Sequence, residues 1–233
     1  MADKKVLGVL GGLGPMSSAY FYEMVTDLTY AEKDQDHLDI VISSRATTPD
    51  RTDFILGNSK DDPLPVMREE AQRLVNYGAG VLALTCNTAH YFYEALQESI
   101  PVPLLNIAAL AVGEIASRGI TKVGLLATTG TVNFGIYQQA CEEGGIECIV
   151  PDEKGQKKVM SVIYDQVKCG KPVDMDMFNS VAYSLVARGA EIIILGCTEL
   201  SVIKRTEKLT RGFIDPLEIL AKTAITACGG KLK

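Results

Sequence analysis

Apolar residues recur along this chain in short runs that alternate with segments of helical periodicity. The runs of about six apolar residues, bounded by turn residues, are typical of buried strands in a parallel sheet. They lie at residues 5–11, 39–44, 80–85, 102–106, 122–127, 145–150, 191–196 and 212–215. The amphipathic segments predict helices at 16–31, 63–77, 88–98, 107–118, 131–143, 153–169, 174–188 and 216–228. This alternation predicts an α/β protein whose parallel sheets are flanked by helices and joined by right-handed crossovers.

The second half of the chain repeats the pattern of the first half. The matched pairs are 78–88 (GAGVLALTCNT) with 189–199 (GAEIIILGCTE), 5–11 with 122–127, and 103–106 with 213–216. The three pairs keep the same order, so we interpret the chain as two copies of one fold. We expect two pseudo-symmetric Rossmann-like lobes. Residues 1–104 plus 211–233 would form the amino-terminal lobe, and residues 105–210 the carboxyl-terminal lobe.

Two cysteines occupy matching places in the repeat. Cys86 and Cys197 each follow an apolar run, at the carboxyl end of a predicted strand, where open α/β sheets bind their ligands. Facing lobes would bring the two thiols to opposite sides of one pocket. A helix amino terminus beside each cysteine is expected to lower the thiol pKa toward neutrality, as an acid/base group requires. The other four cysteines are expected in the core; they are Cys141, Cys148, Cys169 and Cys228.

Composition and charge exclude several classes of function. The net charge of −6, without a basic cluster, argues against nucleic-acid binding. No apolar stretch reaches 18 residues, so we expect no membrane span. Residues 4–19 resemble a signal peptide, but the recurrence of residues 5–11 at 122–127 favours a core strand and a cytoplasmic protein with reduced thiols. Two histidines and no CxxC pair make a metal site improbable on this pattern.

Other candidate binding residues lie in turns and at helix ends. The turn GGLGP at residues 11–15 is either a plain tight turn or a site for an anion at a helix start, and residues 127–131 form its counterpart. His90, one helical turn after Cys86, could polarise the thiol or simply cap or pack. Arg51 carries a planar guanidinium that suits a carboxylate. Lys168 could instead be a dipole partner at a helix carboxyl terminus.

Together these motifs resemble the aspartate racemases of the Asp/Glu/hydantoin racemase superfamily, over residues 5–220. The motifs are GGLGP at 11–15, PDRT at 49–52, CNTAH at 86–90, ATTGT at 127–131 and GCTE at 196–199. The resemblance implies two lobes with the site in the cleft between them. It also implies racemisation of an amino acid without pyridoxal phosphate, metal or other cofactor, by a homodimeric enzyme.

The resemblance also assigns roles to residues. Cys86 and Cys197 would be the catalytic acid/base pair. The α-carboxylate and ammonium would be held by Asn87, Thr88, Thr128, Thr131 and Thr198. Arg51 and Lys168 would bind the side-chain carboxylate. The predicted substrate-binding set is completed by Gly12, Leu13, Gly14 and Glu199.

Two departures from the glutamate racemase pattern favour aspartate as the substrate. The first turn is GGLGP where glutamate racemases have a DSGxGG-like turn, and Glu199 stands where they have histidine. Glutamate or a broader substrate range stays open. Two other functions also stay open at this point. One is decarboxylation or cis-trans isomerisation of a small dicarboxylic acid on the same scaffold, and the other is non-catalytic amino-acid binding.

Overall fold

Two four-stranded parallel sheets form the framework of the computed structural model, which describes residues 4–209 and 211–233. The first sheet contains β1 (Val6–Gly11), β2 (Ile40–Ser44), β3 (Ala79–Leu84) and β4 (Leu104–Leu105). The second contains β5 (Lys122–Ala127), β6 (Glu147–Ile149), β7 (Ile192–Gly196) and β8 (Phe213–Ile214). Their strand orders, β2-β1-β3-β4 and β6-β5-β7-β8, are the same arrangement. The predicted fold class and its pseudo-symmetry are therefore confirmed.

Helices cover both faces of each sheet. They are α1 (Pro15–Leu28), α2 (Arg51–Ile55), α3 (Leu64–Tyr77), α4 (Tyr93–Gln97), α5 (Ile107–Ser117), α6 (Thr129–Phe134), α7 (Ile136–Glu143), α8 (Glu153–Met160), α9 (Met175–Ala187), α10 (Thr198–Thr206) and α11 (Pro216–Ala227). Short 3₁₀ segments lie at Asp34–Asp36 and Thr88–Phe92, and a π-helical segment at Ser161–Val167 continues α8. None of these helices is long and apolar enough to span a bilayer.

Several predicted helices differ from the structure in their detail. The helix expected at 131–143 is divided by Gly135, whose φ of 78° ends α6 in a left-handed conformation. The helix expected at 153–169 changes from α to π at Ser161. Two helices that directly follow site loops, α2 and α10, were not predicted. The first has only five residues, capped by the Asp50 carboxylate, which accepts a hydrogen bond from the Asp53 amide.

Each sheet is packed between two layers of apolar side chains, because successive strand residues point to opposite faces. In the first sheet, Leu7 and Val9 face α1 and α11, whereas Leu10 faces α3. The second sheet is likewise buried between the cores formed by α8 and α9 on one side and by α5 and α7 on the other.

The two lobes exchange their last elements. Strand β8 is hydrogen-bonded to β7 of the second sheet, but α11, which follows it directly, packs on α1 and α5. The predicted lobe division stays a prediction, except that it placed residues 213–214 in the amino-terminal lobe, whereas their strand belongs to the second sheet. The reason is the pairing pattern itself, since β8 occupies the place that β4 occupies in the first sheet.

Candidate active site

The two cysteines of the repeat line one small pocket between the sheets. Cys86 lies just beyond β3 and Cys197 just beyond β7, and the two residues are 7% and 6% exposed. Most of the predicted binding residues line the same pocket: Leu13, Arg51, Asn87, Thr88, Thr128, Lys168, Thr198 and Glu199. Because parallel strands present their carboxyl ends at one edge of a sheet, the fold brings these loops together.

The remaining predicted residues lie around this pocket. Gly12 and Gly14 line an outer vestibule, which shares Asp50, Arg51, Lys168 and Glu199 with the inner pocket. Thr131 is completely buried behind the inner wall, where its hydroxyl bonds to Thr88 and Thr128.

Cys197 is paired with a carboxylate. Its thiol donates a hydrogen bond to Glu199 Oε2 at 2.9 Å. Burial raises the pKa of Cys197 well above its ordinary value, and the neighbouring Glu199 charge raises it further. The expectation that a helix amino terminus lowers the pKa of this thiol is therefore wrong. Burial and a nearby like charge outweigh the start of α10.

Arg51 supplies the positive charge beside the other cysteine. Its guanidinium is held by main-chain carbonyls: Nη1 donates to Thr48 and Pro49, and Nη2 to Leu13, over 2.9 to 3.3 Å. Nε is buried and has no hydrogen-bond partner. Burial opposes the charge, but attraction to Cys86 and Asp50 outweighs it, so the pKa of Arg51 is raised. Part of the guanidinium fork is thus used within the protein, and the free donors remain for a ligand.

Lys168 also lines both the inner pocket and the vestibule, at the end of the π-helical segment. Its Nζ is 3.8 Å from Asp50 Oδ2 and 3.7 Å from the centroid of the Tyr164 ring. The Tyr164 hydroxyl donates to the Asp50 carboxylate at 3.3 Å. Burial lowers the pKa of Lys168, but the charge of Glu199 acts against this most strongly and the net pKa is raised. Lys168 therefore enters the pocket as a cation.

A network of hydroxyl groups crosses between the lobes. Thr88 Oγ1 is 2.9 Å from both Thr128 Oγ1 and Thr131 Oγ1, and the last two are 3.1 Å apart. Thr88 follows the first sheet, whereas the other two lie at the end of β5 and in α6 of the second. The neighbouring Asn87 is 2% exposed, and its Nδ2 has no hydrogen-bond partner. These hydroxyl and amide groups can donate to an anion in the pocket.

The glycine-rich turn allows close contact within the protein. A Cβ at Gly12, where φ is +80°, would overlap the main-chain nitrogen of Arg45. The Gly12 amide donates to Ser18 Oγ at 2.9 Å. A Cβ at Gly14, where φ is +126°, would lie 2.8 Å from Glu199 Oε1. Of the two interpretations of this turn, these contacts favour the tight turn, and Gly14 provides the room in which the Glu199 carboxylate approaches Cys197.

His90 binds main chain on both sides of its ring. Nδ1 donates to the Cys86 carbonyl oxygen at 2.9 Å, and Nε2 accepts from the Ile107 amide at 3.1 Å. Burial lowers its pKa to about 4, so the ring is neutral at pH 7. Of the two roles considered for His90, the structure favours capping and packing, because neither nitrogen is free to polarise the thiol.

Sequence reasoning missed four residues at the site. Asp50, Thr52 and Tyr164 line the inner pocket, and Tyr137 reaches Asn87 from α7. Asp50 and Thr52 flank Arg51 in the PDRT motif, and Tyr164 precedes Lys168 by one helical turn. Their positions beside predicted site residues could therefore have indicated that they belong to the site. Tyr137 lies in a helix whose periodicity indicated only core. Within residues 4–209 and 211–233, no group of three or more His, Cys, Asp or Glu side chains could hold a metal ion.

Comparison with known proteins gives a consistent result. A family model described as Asp/Glu/Hydantoin racemase matches residues 10–224. The broad specificity amino-acid racemase RacX of Bacillus subtilis is 29% identical over 225 residues, 95% of this chain and 97% of that protein. The solved structure of Picrophilus torridus aspartate racemase has a TM-score of 0.84 and 29% identity, covering 98% of this chain and 96% of that one. Francisella tularensis glutamate racemase in complex with D-glutamate shares the fold, with a TM-score of 0.69 and 17% identity over 97% of this chain and 81% of that one.

Proposed function

Because this chain belongs to the Asp/Glu/hydantoin racemase family and is an amino-acid racemase, we propose that it interconverts L- and D-aspartate. Cys86 and Cys197 serve as the acid/base pair, without a cofactor, and glutamate is a secondary substrate. The observation that carries this proposal is the shared pocket, in which two thiols follow equivalent strands of the two sheets.

Aspartate is supported by the charges at the pocket. Arg51 and Lys168 line the inner pocket and can pair with a side-chain carboxylate. The Asn87 amide and the hydroxyls of Thr88 and Thr128 are donors for the α-carboxylate. The similarity to Picrophilus torridus aspartate racemase points to the same substrate.

The mechanism follows from the neighbours of each sulfur. Cys86 faces the Arg51 guanidinium, whereas Cys197 is a thiol that is hydrogen-bonded to Glu199. The Cys86 thiolate removes the Cα proton and becomes a thiol. Cys197 then delivers its proton to the opposite face of Cα and becomes a thiolate. The reverse direction exchanges these roles, and solvent exchange returns each sulfur to its resting state.

The difficult point of this reaction is the weak acidity of a Cα–H beside a carboxylate. Removing the proton moves negative charge onto the carboxylate oxygens. Donors that are already fixed in a buried pocket stabilise that charge without reorganisation. The Asn87 Nδ2 group and the threonine hydroxyls are the donors of this kind in the pocket.

A chiral assay over a panel of amino acids, with reductant and no added cofactor, tests the proposal. Maleate is included, since isomerisation of a dicarboxylic acid would identify the alternative reaction. We expect racemisation of aspartate, and a loss of at least about 100-fold in Cys86→Ala and in Cys197→Ala, because each removes an acid/base group. In D₂O, Cys197→Ala retains Cα–H exchange of one enantiomer only, through Cys86.

The matched control is Cys228→Ala, which removes a buried thiol in the core formed by α1 and α11. It should keep wild-type racemisation. Full racemisation by either pocket-cysteine variant would refute the two-thiol mechanism, and failure of the wild type to racemise aspartate would refute the proposed substrate.

A further inference from the structure

Asn87 is held from the other lobe by a buried phenol. The Tyr137 hydroxyl donates a hydrogen bond to Asn87 Oδ1 at 2.5 Å. Tyr137 is completely buried in α7, where it packs with β5 in the second lobe, whereas Asn87 follows Cys86 at the end of the first sheet. A contact across the lobes thus reaches the residue next to a pocket cysteine.

This contact determines which way the Asn87 amide faces. A side-chain amide has an oxygen on one side and an NH₂ group on the other. Among the described residues, the phenolic proton of Tyr137 has Asn87 Oδ1 as its one acceptor, and Asn87 Nδ2 has none. Rotating the amide by 180° would leave the phenolic proton unpaired in the core, which costs free energy. The bond to Tyr137 therefore keeps the NH₂ group away from α7.

The unpaired NH₂ group then requires a partner. Buried polar groups are nearly always hydrogen-bonded, so a buried donor without a partner in a pocket-lining residue indicates a ligand acceptor. A carboxylate satisfies this requirement, because it offers only acceptors. In the rotated orientation Asn87 would present its carbonyl oxygen to that anion, and the two would repel.

The phenol is able to keep this role throughout the working pH range. Burial raises the pKa of Tyr137 well above its ordinary value, and the nearby Asp215 carboxyl and the Cys141 thiol add to the effect. Tyr137 therefore stays protonated and continues to donate to Asn87.

We propose that Tyr137 is a positioning residue for substrate: from the second lobe it fixes the Asn87 amide so that its NH₂ group faces the α-carboxylate. This inference rests on the proposed function, since it names the residue that orients one of the substrate donors. Tyr137 itself does not contact the substrate. Its effect passes through Asn87, and the experiment must show that dependence.

The test is a double-mutant cycle. Tyr137→Phe removes only the hydroxyl, and we expect it to lower kcat/KM for aspartate about tenfold, as for loss of one net hydrogen bond to a charged ligand. In the Asn87→Ala background the same change should alter kcat/KM less than about twofold, because no amide remains to be oriented. An equal loss in both backgrounds, or no loss in either, would overturn the inference.

The control is Tyr93→Phe, which removes a hydroxyl that donates to the Leu104 carbonyl outside the pocket. It should leave kcat/KM unchanged. Thermal unfolding of all variants identifies any that fail to fold. A purely structural role for Tyr137 would lower stability and reduce kcat/KM to the same extent with or without Asn87.

A second measurement does not depend on turnover. The side-chain ¹⁵N–¹H₂ resonance of Asn87, assigned by its loss in Asn87→Ala, should shift in Tyr137→Phe and stay in place in Tyr93→Phe. A shift with no aspartate racemisation by the wild type would reject the proposed function and keep the positioning role. An unshifted resonance in an enzyme that racemises aspartate would reject the positioning role alone.

Discussion

At the scale of single residues, the two cysteines occupy matching positions in unlike electrostatic surroundings. Cys86 faces the Arg51 guanidinium, whereas Cys197 donates to the Glu199 carboxylate. A cation favours a thiolate, and a carboxylate favours a thiol. The sequence repeat therefore describes the positions of the two sulfurs, whereas the charges beside them differ, and a neighbouring carboxylate raises the pKa of Cys197.

Glu199→Gln tests this asymmetry. Glu199 raises the pKa of Cys197, so replacing its carboxylate with a neutral amide should lower that pKa. Cys197 must be protonated to act as the acid, and we expect the basic limb of the pH–rate profile to move to lower pH. Profiles of kcat/KM measured from L- and from D-aspartate should show this movement in the direction that uses Cys197 as the acid. Glu114→Gln, a surface change, is the control, and a limb that moves to higher pH contradicts the assignment.

Residue identity at the site could be predicted, but residue environment could not. Cys86, Arg51 and Thr128 could be assigned to the site from the sequence, because they follow predicted strands or lie in turns. The loops after parallel strands lie at one edge of a sheet. The raised pKa of Cys197 depends on burial and on the rotamer of Glu199. Tyr137 reaches the site from a different lobe, and no local pattern indicates such a contact.

At the scale of elements, the strands matched their predicted positions better than the helices did. A continuous apolar run identifies a buried strand directly, as for β1, β5 and β7. Helix pitch and interruptions depend on tertiary packing, so the sequence could not reveal the change from α to π at Ser161. That segment positions Tyr164 and Lys168 at the pocket, and π-helical turns are frequently found at functional sites.

His90 joins two elements, because its ring connects the Cys86 carbonyl to the first turn of α5. Its pKa of about 4 in the fold lies below the usual 6.5, so the unfolded chain binds more protons between these values. The contribution of His90 to the free energy of unfolding is then fully present above pH 6.5 and is lost as the pH falls toward 4. We expect a contribution of about 2 kcal/mol to be lost between pH 7 and pH 5.

Urea unfolding at pH 7 and pH 5 measures this loss. His90→Gln should remove that part of the pH dependence, because its side chain does not titrate. His37→Gln replaces the other histidine of the chain and is the matched control, which should keep the wild-type dependence. If the free energy of unfolding of His90→Gln changes between pH 7 and pH 5 as much as that of the wild type, the pKa of about 4 is wrong.

At the scale of the whole molecule, the exchange of end elements ties the two lobes together. Helix α11 comes directly after a strand of the second sheet and completes the core against α1 and β1 of the first. The repeat in the sequence predicted two similar lobes. It could not predict that β8 pairs with the second sheet whereas α11 packs against the first. Both placements depend on where the chain crosses from one lobe to the other, which no local pattern shows.

Leu220→Ala tests whether this exchange couples the lobes. Leu220 is fully buried in α11, and its truncation should destabilise the protein by about 2–5 kcal/mol through lost burial and a cavity. We expect one cooperative unfolding transition by circular dichroism, with amide exchange accelerated in both β1 and β5. Val186→Ala, at a position 51% exposed in α9, should change stability by less than about 0.5 kcal/mol. Acceleration confined to β1 would show that the lobes unfold independently.

The three threonine hydroxyls that meet between the sheets form a closed triangle, and each hydroxyl has one proton to give. Such a triangle can direct its protons clockwise or anticlockwise, and both circulations satisfy every oxygen. An anion that accepts a hydrogen bond from one of these hydroxyls opens the triangle, since the single proton of that hydroxyl has to turn outward to meet it. The other two hydroxyls can then donate in sequence toward that oxygen, so the binding of charge replaces a closed ring of hydrogen bonds by a chain that ends on the anion.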